Sequence, residues 1–136
     1  MLDKRKFYIN GQWVSPSKPN DYEVINPSTE EAFATISLGS TEDTNAAVSA
    51  AKKALVSWSE SSKDERLNLL EKLLSIYIKR YGEMADAISM EMGAPMDWSN
   101  DAQTSSGQSH LEDFIVRLKE FKFDEQFSPE SNNRIC

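Results

Sequence analysis

The sequence predicts an α+β fold that is mainly helical, with β-hairpins at the amino terminus followed by three to four amphipathic helices. Short extended runs separated by turn-forming residues occupy the first part of the chain. Further along, apolar residues recur three and four positions apart, which is the spacing of one helix face. We therefore divide the chain into a β-hairpin region (1–38), a helical region (39–127) and a polar tail (128–136).

Two hairpins are predicted in the first region. The pair Asn10-Gly11 supplies the positive φ angles of a tight two-residue turn, so the runs at 7–9 and 12–14 pair as strands. Two further extended runs, 22–25 and 32–36, are separated by the sequence Asn-Pro-Ser-Thr, in which proline fixes φ and asparagine favours a turn. The first third of the chain therefore consists of β-hairpins.

Two capping boxes mark the starts of the first helices. Ser40 is followed by Asp43, and Ser62 by Glu65, so each serine has an acidic residue at the third helical position. The apolar residues of the first helix recur at helical spacing, as Ala47, Val48, Ala51, Leu55 and Trp58. Those of the next helical stretch continue one stripe, made of Leu70, Leu73, Leu74, Tyr77, Tyr81, Met84, Ala85 and Ile88.

This second stretch forms one helix, or two helices joined near Gly82, and runs to about Met92. Gly93 and Pro95 end it, because glycine accepts a left-handed cap and proline cannot continue a helix.

A last helix is predicted over 97–122, and its first half has an unusual composition. Residues 103–109 are small and polar, and each costs a few tenths to about 1 kcal/mol of helix stability relative to alanine. Something other than helix propensity therefore selects them. A clear apolar stripe appears only in the second half, as Leu111, Phe114, Ile115, Leu118 and Phe121.

Composition excludes several function classes. One cysteine and one histidine leave little material for a metal site or a disulfide framework, which favours a reducing compartment, so we expect a cytoplasmic protein. The net charge of −7 disfavours attraction to nucleic acid or anionic lipid. No apolar run approaches the ~18 residues needed to cross a bilayer. We expect no nucleic-acid partner and no membrane association.

Several short motifs occur in the order and at the spacing of one known family. They are FYINGQWV at 7–14, VINPSTEE at 24–31, GSTED at 39–43 leading into AAVSAAKKAL at 46–55, then Trp58, RLNLL at 66–70 and EMGAP at 91–95. Over 7–126, about nine tenths of the chain, the sequence resembles the amino-terminal segment of the NAD(P)-dependent aldehyde dehydrogenases. The resemblance implies that the hairpins and helices form the amino-terminal part of that fold.

The resemblance also implies an activity for the full-length family, which oxidises aldehydes to carboxylic acids with NAD or NADP. The family's cysteine nucleophile, glutamate base and oxyanion-binding asparagine lie in later segments. Cys136, the only thiol, stands in a different sequence context and does not inherit the nucleophile's role. No G-x-G-x-x-G turn is present. We therefore expect no catalytic, cofactor-binding or metal-binding residue here, no cofactor for this chain alone, and no activity of the isolated chain.

Residues of the last helix are the remaining site candidates. In the family the matching helix runs beside the tunnel through which the aldehyde reaches the nucleophile. Ser106 is the closest positional match to a tunnel-lining residue, with Gln103, Gly107 and His110 one turn to either side. The alternative is close helix packing against a neighbour that tolerates only small side chains, with the lone His110 packed or solvated.

After Gln126 the resemblance ends, since 128–136 match none of the strand and Pro-Trp-Asn turn that continue the family. We therefore expect a truncated or frame-shifted reading frame, or a deliberate fragment.

Two functions remain open. The chain is a dehydrogenase fragment, or it is a helical module without activity that uses exposed apolar helix faces to bind a partner. The expected partners are a second copy, giving a homo-oligomer, or a complementing dehydrogenase fragment.

Overall fold

The computed structural model of the protein describes residues 1–124. The predicted polar tail at 128–136 lies outside the described residues. The predicted α+β, mainly helical architecture is confirmed. The strands are β1 (Leu2–Asp3), β2 (Phe7–Ile9), β3 (Gln12–Val14), β4 (Asp21–Asn26) and β5 (Glu31–Ser37). The helices are α1 (Thr41–Trp58), α2 (Lys63–Lys79), α3 (Tyr81–Met92), α4 (Met96–Trp98), a π-helical segment (Ser99–Thr104) and α5 (Ser105–Glu120).

Both predicted hairpins are confirmed. Strands β2 and β3 pair antiparallel with Ile9 opposite Gln12, so the connection is the two-residue turn Asn10-Gly11, whose φ angles are 52° and 77°. Strands β4 and β5 pair antiparallel with a bulge after Val24. Local turn chemistry is sufficient to specify these pairings.

Strand β1 was not predicted from the sequence. It pairs in parallel with β5, giving the order β1-β5-β4 in a three-stranded sheet. The guanidinium of Arg5 anchors it by donating to Asp3 at 2.7 Å and to Asp21 at 3.2 Å. The side-chain hydrogen bond from Arg5 lowers the pKa of Asp3 to about 2. A strand of two residues carries no detectable sequence period, so only the tertiary pairing reveals it.

Helix α1 begins at the predicted capping box. The carboxylate of Asp43 accepts hydrogen bonds from the backbone N–H groups of Ser40 and Ser17, each at 2.9 Å, and so joins the β3–β4 loop to the helix start. These donors lower the pKa of Asp43 to about 2. The apolar residues of α1, in contrast, remain largely uncovered, with Leu55 58% exposed and Trp58 47% exposed.

The second helical stretch is two helices, α2 and α3, which separate at Arg80. Helix α3 ends at Gly93, where φ is 69°. A Cβ at Gly93 would lie 2.9 Å from both Pro27 Cγ and Ser28 Oγ, in the β4–β5 turn. Glycine is required here for its dihedral angle and for the close approach of the helix end to the sheet.

Helix α5 runs antiparallel to α2. At one end, Lys63 Nζ donates to the carbonyl of Lys119 at 3.0 Å, and Lys119 pairs with Glu71 at 2.9 Å. At the other end α5 passes Tyr77. Of the eight residues of the stripe predicted between Leu70 and Ile88, only Leu73 and Met84 are exposed, so most of this stripe is at least partly covered.

The core is small for the length of the chain. Among the described residues the buried apolar side chains are Ala34, Ala85 and Ile115. Large apolar side chains of α2, among them Leu69, Leu73 and Ile76, remain exposed. The fold therefore presents apolar helix faces that it does not itself cover.

Candidate functional site

The small, polar stretch singled out in the sequence adjoins a π-helical turn. Ser99 and Thr104, the first and last residues of this segment, are both fully buried, and Ile115 is buried further along α5. Positions five apart lie about 140° apart around an α-helix, but one turn apart in a π-helix. The π-helical turn therefore brings Ser99 and Thr104 to one face and shifts the buried face of the chain by one residue.

Two tyrosines from the neighbouring helices hold this turn. Tyr77 Oη donates to the carbonyl of Thr104 at 2.9 Å, and Tyr81 Oη donates to the carbonyl of Asn100 at 2.5 Å. The two rings meet edge to face with centroids 6.3 Å apart. Burial, and then the neighbouring Tyr81, raises the pKa of Tyr77, so its hydroxyl remains a protonated donor at neutral pH.

The four predicted tunnel residues lie in three different environments. Ser106 and His110 lie one turn apart on α5 and are exposed, and Ser106 Oγ donates back to the carbonyl of Ala102 at 2.7 Å. Gln103 is half-buried in the π-helical segment.

Gly107 instead packs beneath Tyr77. A Cβ built on Gly107 would lie 2.9 Å from Tyr77 Cζ and would overlap the tyrosine oxygen. This contact corresponds to the close-packing alternative. Sequence reasoning missed Tyr77 and Tyr81 as partners of this segment, because their apolar rings matched the helix stripe and nothing local marked their hydroxyls.

A cavity of about 540 Å³ lies between the three-stranded sheet and helices α2 and α3. Its walls are mostly apolar, with Val24, Phe33 and Ile36 on the sheet side and Leu73, Ile76 and Met84 on the helix side. Arg80 and Glu83, at its rim, pair with each other at 2.7 Å. The cavity joins elements some fifty residues apart, so no local pattern in the sequence predicted it.

A metal site needs a cluster of ligating side chains, and a dinucleotide site of the common type needs a glycine-rich turn between a strand and a helix. Residues 1–124 contain no group of three or more side chains suited to a metal ion. The only strand-to-helix turn among them that leads from the sheet, between β5 and α1, contains the single glycine Gly39. Asp43 already occupies the start of α1 with its own carboxylate, which would repel a phosphate. This turn therefore does not fit a dinucleotide.

No helix in the described part of the chain is long and apolar enough to cross a membrane.

Solved structures similar to this chain are aldehyde dehydrogenases. An aldehyde dehydrogenase from Bartonella henselae is 57% identical with a TM-score of 0.93, over 97% of this chain and 28% of that one. A mutant of aldehyde dehydrogenase C from Pseudomonas syringae, complexed with NAD⁺ and octanal, is 34% identical with a TM-score of 0.88, over 91% of this chain and 26% of that one.

Sequence comparisons agree with the structural ones. The 3-succinoylsemialdehyde-pyridine dehydrogenase of a Pseudomonas species is 42% identical over 126 residues, which are 92% of this chain and 26% of that protein. The chain thus spans about a quarter of the length of its relatives and corresponds to their amino-terminal segment. The model of the aldehyde dehydrogenase family matches residues 13–135. The chain belongs to the aldehyde dehydrogenase family.

Proposed function

We propose that this chain serves as the amino-terminal segment of an enzyme that oxidises an aldehyde to a carboxylic acid with NAD or NADP. The observation that carries the proposal is the family match over nearly the whole chain. The Pseudomonas syringae relative holds NAD⁺ and octanal, which supports a nicotinamide cofactor and an aliphatic aldehyde as the substrate class. In this proposal the nucleophile, the base and the cofactor site lie outside residues 1–124, and the chain by itself is inactive.

Within such an enzyme, residues 103–110 form part of the wall of the aldehyde passage. The exposure of Ser106 and His110 on one side of α5 supports this role, with Gln103 beside them and Gly107 turned toward Tyr77. Small side chains at these positions leave room that a bulky residue would fill. The segment would then select aldehydes by size.

A chimera tests both parts of the proposal. Residues 1–124 replace the matching segment of the Bartonella henselae dehydrogenase, and NADH formation is followed with acetaldehyde and with octanal. Ser106→Phe should raise KM for octanal about tenfold or more and change KM for acetaldehyde less than twofold, because overpacking costs ~1–3 kcal/mol only where the substrate needs the space. Ser49→Phe, the same change at an exposed serine of α1, is the matched control. Equal effects of Ser106→Phe on both aldehydes would contradict the passage role.

A second candidate function is self-association of the isolated chain. Apolar helix faces that remain exposed carry this candidate, because large exposed apolar patches on soluble proteins mark interaction surfaces. Exposed Val48, Leu55 and Trp58 on α1, together with Leu69 and Leu73 on α2, supply apolar area for it. A homo-oligomer, or a complex with a complementing dehydrogenase fragment, would cover these faces.

Light scattering behind a sizing column measures this assembly. We expect a dimer or larger species at tens of micromolar, and Leu55→Glu should shift it toward the monomer, whereas Lys52→Glu, an exposed neighbour on the same helix, should not. A monomer that binds no apolar dye would remove this candidate.

The low cysteine and histidine content and the net charge of −7 also support a cytoplasmic location, without nucleic-acid or membrane partners. Fractionation of cells expressing the protein would test the location.

A further inference from the structure

We propose that Tyr77 and Tyr81 are positioning residues that decide which face of residues 103–110 borders the aldehyde passage. They do so by holding the π-helical turn through their hydroxyl groups. This inference rests on the proposed function, because it assigns the turn a role at the same passage. It adds two residues that do not themselves line the passage and that act through the backbone of the neighbouring helix.

The first step of the argument is geometric. A helix with one fewer residue in this turn would carry α5 about 100° around its axis relative to α4 and the start of the π-helical segment. Ser106 and His110, now on the exposed side, would turn toward the helix flank, and Gly107 would leave Tyr77. The π-helical turn therefore sets which side chains of residues 103–110 face the candidate passage.

The second step concerns what opposes the turn. The hydroxyl groups of Ser99 and Thr104 are buried and have no hydrogen-bond partner within the described residues. Burying such groups without partners costs stability. The π-helical turn that places both residues in the interior therefore needs compensation from elsewhere.

The third step identifies that compensation. The two tyrosine hydroxyls donate to the carbonyls of Asn100 and Thr104, which lie four residues apart. The π-helical turn is therefore hydrogen-bonded near its start and at its end. The edge-to-face contact between the rings keeps the two donors together. Because Gly107 packs against the hydroxyl end of Tyr77, the same tyrosine also contacts the first turn of α5.

The test uses the chimera with the Bartonella henselae dehydrogenase. The double variant Tyr77→Phe/Tyr81→Phe keeps both rings and removes both donors. We expect KM for octanal to rise at least fivefold, with kcat and the KM for acetaldehyde changed less than twofold, because the longer aldehyde meets more of the displaced wall. The matched control is Tyr8→Phe/Tyr22→Phe, which removes two hydroxyls from residues that are 64% and 59% exposed on the strands.

The outcomes separate the two proposals. A purely structural role would lower the thermal midpoint and reduce activity by the same factor for both aldehydes, which overturns the positioning role while leaving the dehydrogenase function intact. Kinetics equal to those of the control overturn it as well. A well-folded chimera that oxidises neither aldehyde, while the Bartonella parent does, refutes the proposed function and this inference with it.

A second measurement needs no activity. In the 136-residue chain, hydrogen exchange at the amides of 103–107 should be at least tenfold faster in the Tyr77→Phe/Tyr81→Phe variant than in the control. Unchanged exchange there would overturn the inference even if the chimera failed to fold.

Discussion

Replacing Gly107 with alanine tests whether the small residues of the last helix are selected by packing. A Cβ at this position would overlap Tyr77 Oη and lie 2.9 Å from Tyr77 Cζ, so the tyrosine ring has to move. Its movement breaks the 2.9 Å hydrogen bond to the carbonyl of Thr104 and disturbs the contact with Tyr81.

The free-energy change follows from three contributions. Loss of the hydrogen bond costs about 0.5–1.5 kcal/mol, and loss of the aromatic pair costs about 0.5–1.5 kcal/mol. Alanine returns about 0.8–1.0 kcal/mol because it favours the helix over glycine. The net result for Gly107→Ala is a loss of about 1 kcal/mol, within a range of roughly 0–2 kcal/mol.

Gly82→Ala is the matched control, because a Cβ at Gly82, also in a helix, would meet nothing within 4 Å. It should stabilise the protein by up to about 1 kcal/mol. The two alanines should therefore differ by about 2 kcal/mol in the free energy of unfolding. With a urea dependence of ~1–3 kcal/mol/M, the two denaturation midpoints should lie about 1 M apart when helical circular dichroism is followed at one fixed protein concentration.

A double-mutant cycle with Tyr77→Phe assigns the cost to its cause. Phenylalanine lacks the oxygen that the new methyl group would strike, so Gly107→Ala should cost less in that background, with a coupling of about 1 kcal/mol. If Gly107→Ala stabilises the protein as much as Gly82→Ala, or if the cycle shows no coupling, the packing explanation for Gly107 is wrong.

Three further predictions concern activity, cofactor binding and pH. The purified chain, mixed with NAD⁺ or NADP⁺ and a panel of aliphatic and aromatic aldehydes, should form no more reduced cofactor than a blank, and turnover that survives Cys136→Ala would contradict this. Calorimetric titration with NAD⁺ should show no saturable micromolar binding, since the strand-to-helix turn before α1 already holds the carboxylate of Asp43. The pKa of Asp43 is lowered from 3.8 to about 2 in the folded chain, so the stability that this carboxylate contributes is present above pH 4 and is lost as the pH falls toward 2. Asp43→Asn should flatten that part of the acid-unfolding curve, and an unchanged curve would show that the contacts with Ser17 and Ser40 do not stabilise the fold.

Several elements were predictable because their signals are local. The turn at Asn10-Gly11, the two serine capping boxes and the left-handed end of α3 at Gly93 each depend on the dihedral preferences or short hydrogen bonds of residues within four positions of one another. Family membership was also predictable, because the chain keeps the order and spacing of the family's short sequence motifs, from FYINGQWV at 7–14 to EMGAP at 91–95. For the same reason the general course of the fold required no tertiary information.

The arrangement of the candidate site was decided by tertiary structure. Strand β1 exists because β5 pairs with it, and Gly107 turns inward because Tyr77, thirty positions earlier, lies across it. The π-helical turn places Ser99 and Thr104 on one face, while the regular 3.6-residue period expected from the sequence would have separated them. A periodic pattern in the sequence describes the faces of a single helix. In our proposal, the rotation of α5 about its axis depends on hydroxyl groups of two other helices, those of Tyr77 in α2 and Tyr81 in α3. The sequence by itself therefore determined which residues form the helix, and the contacts between helices determined which of them are buried and which are exposed.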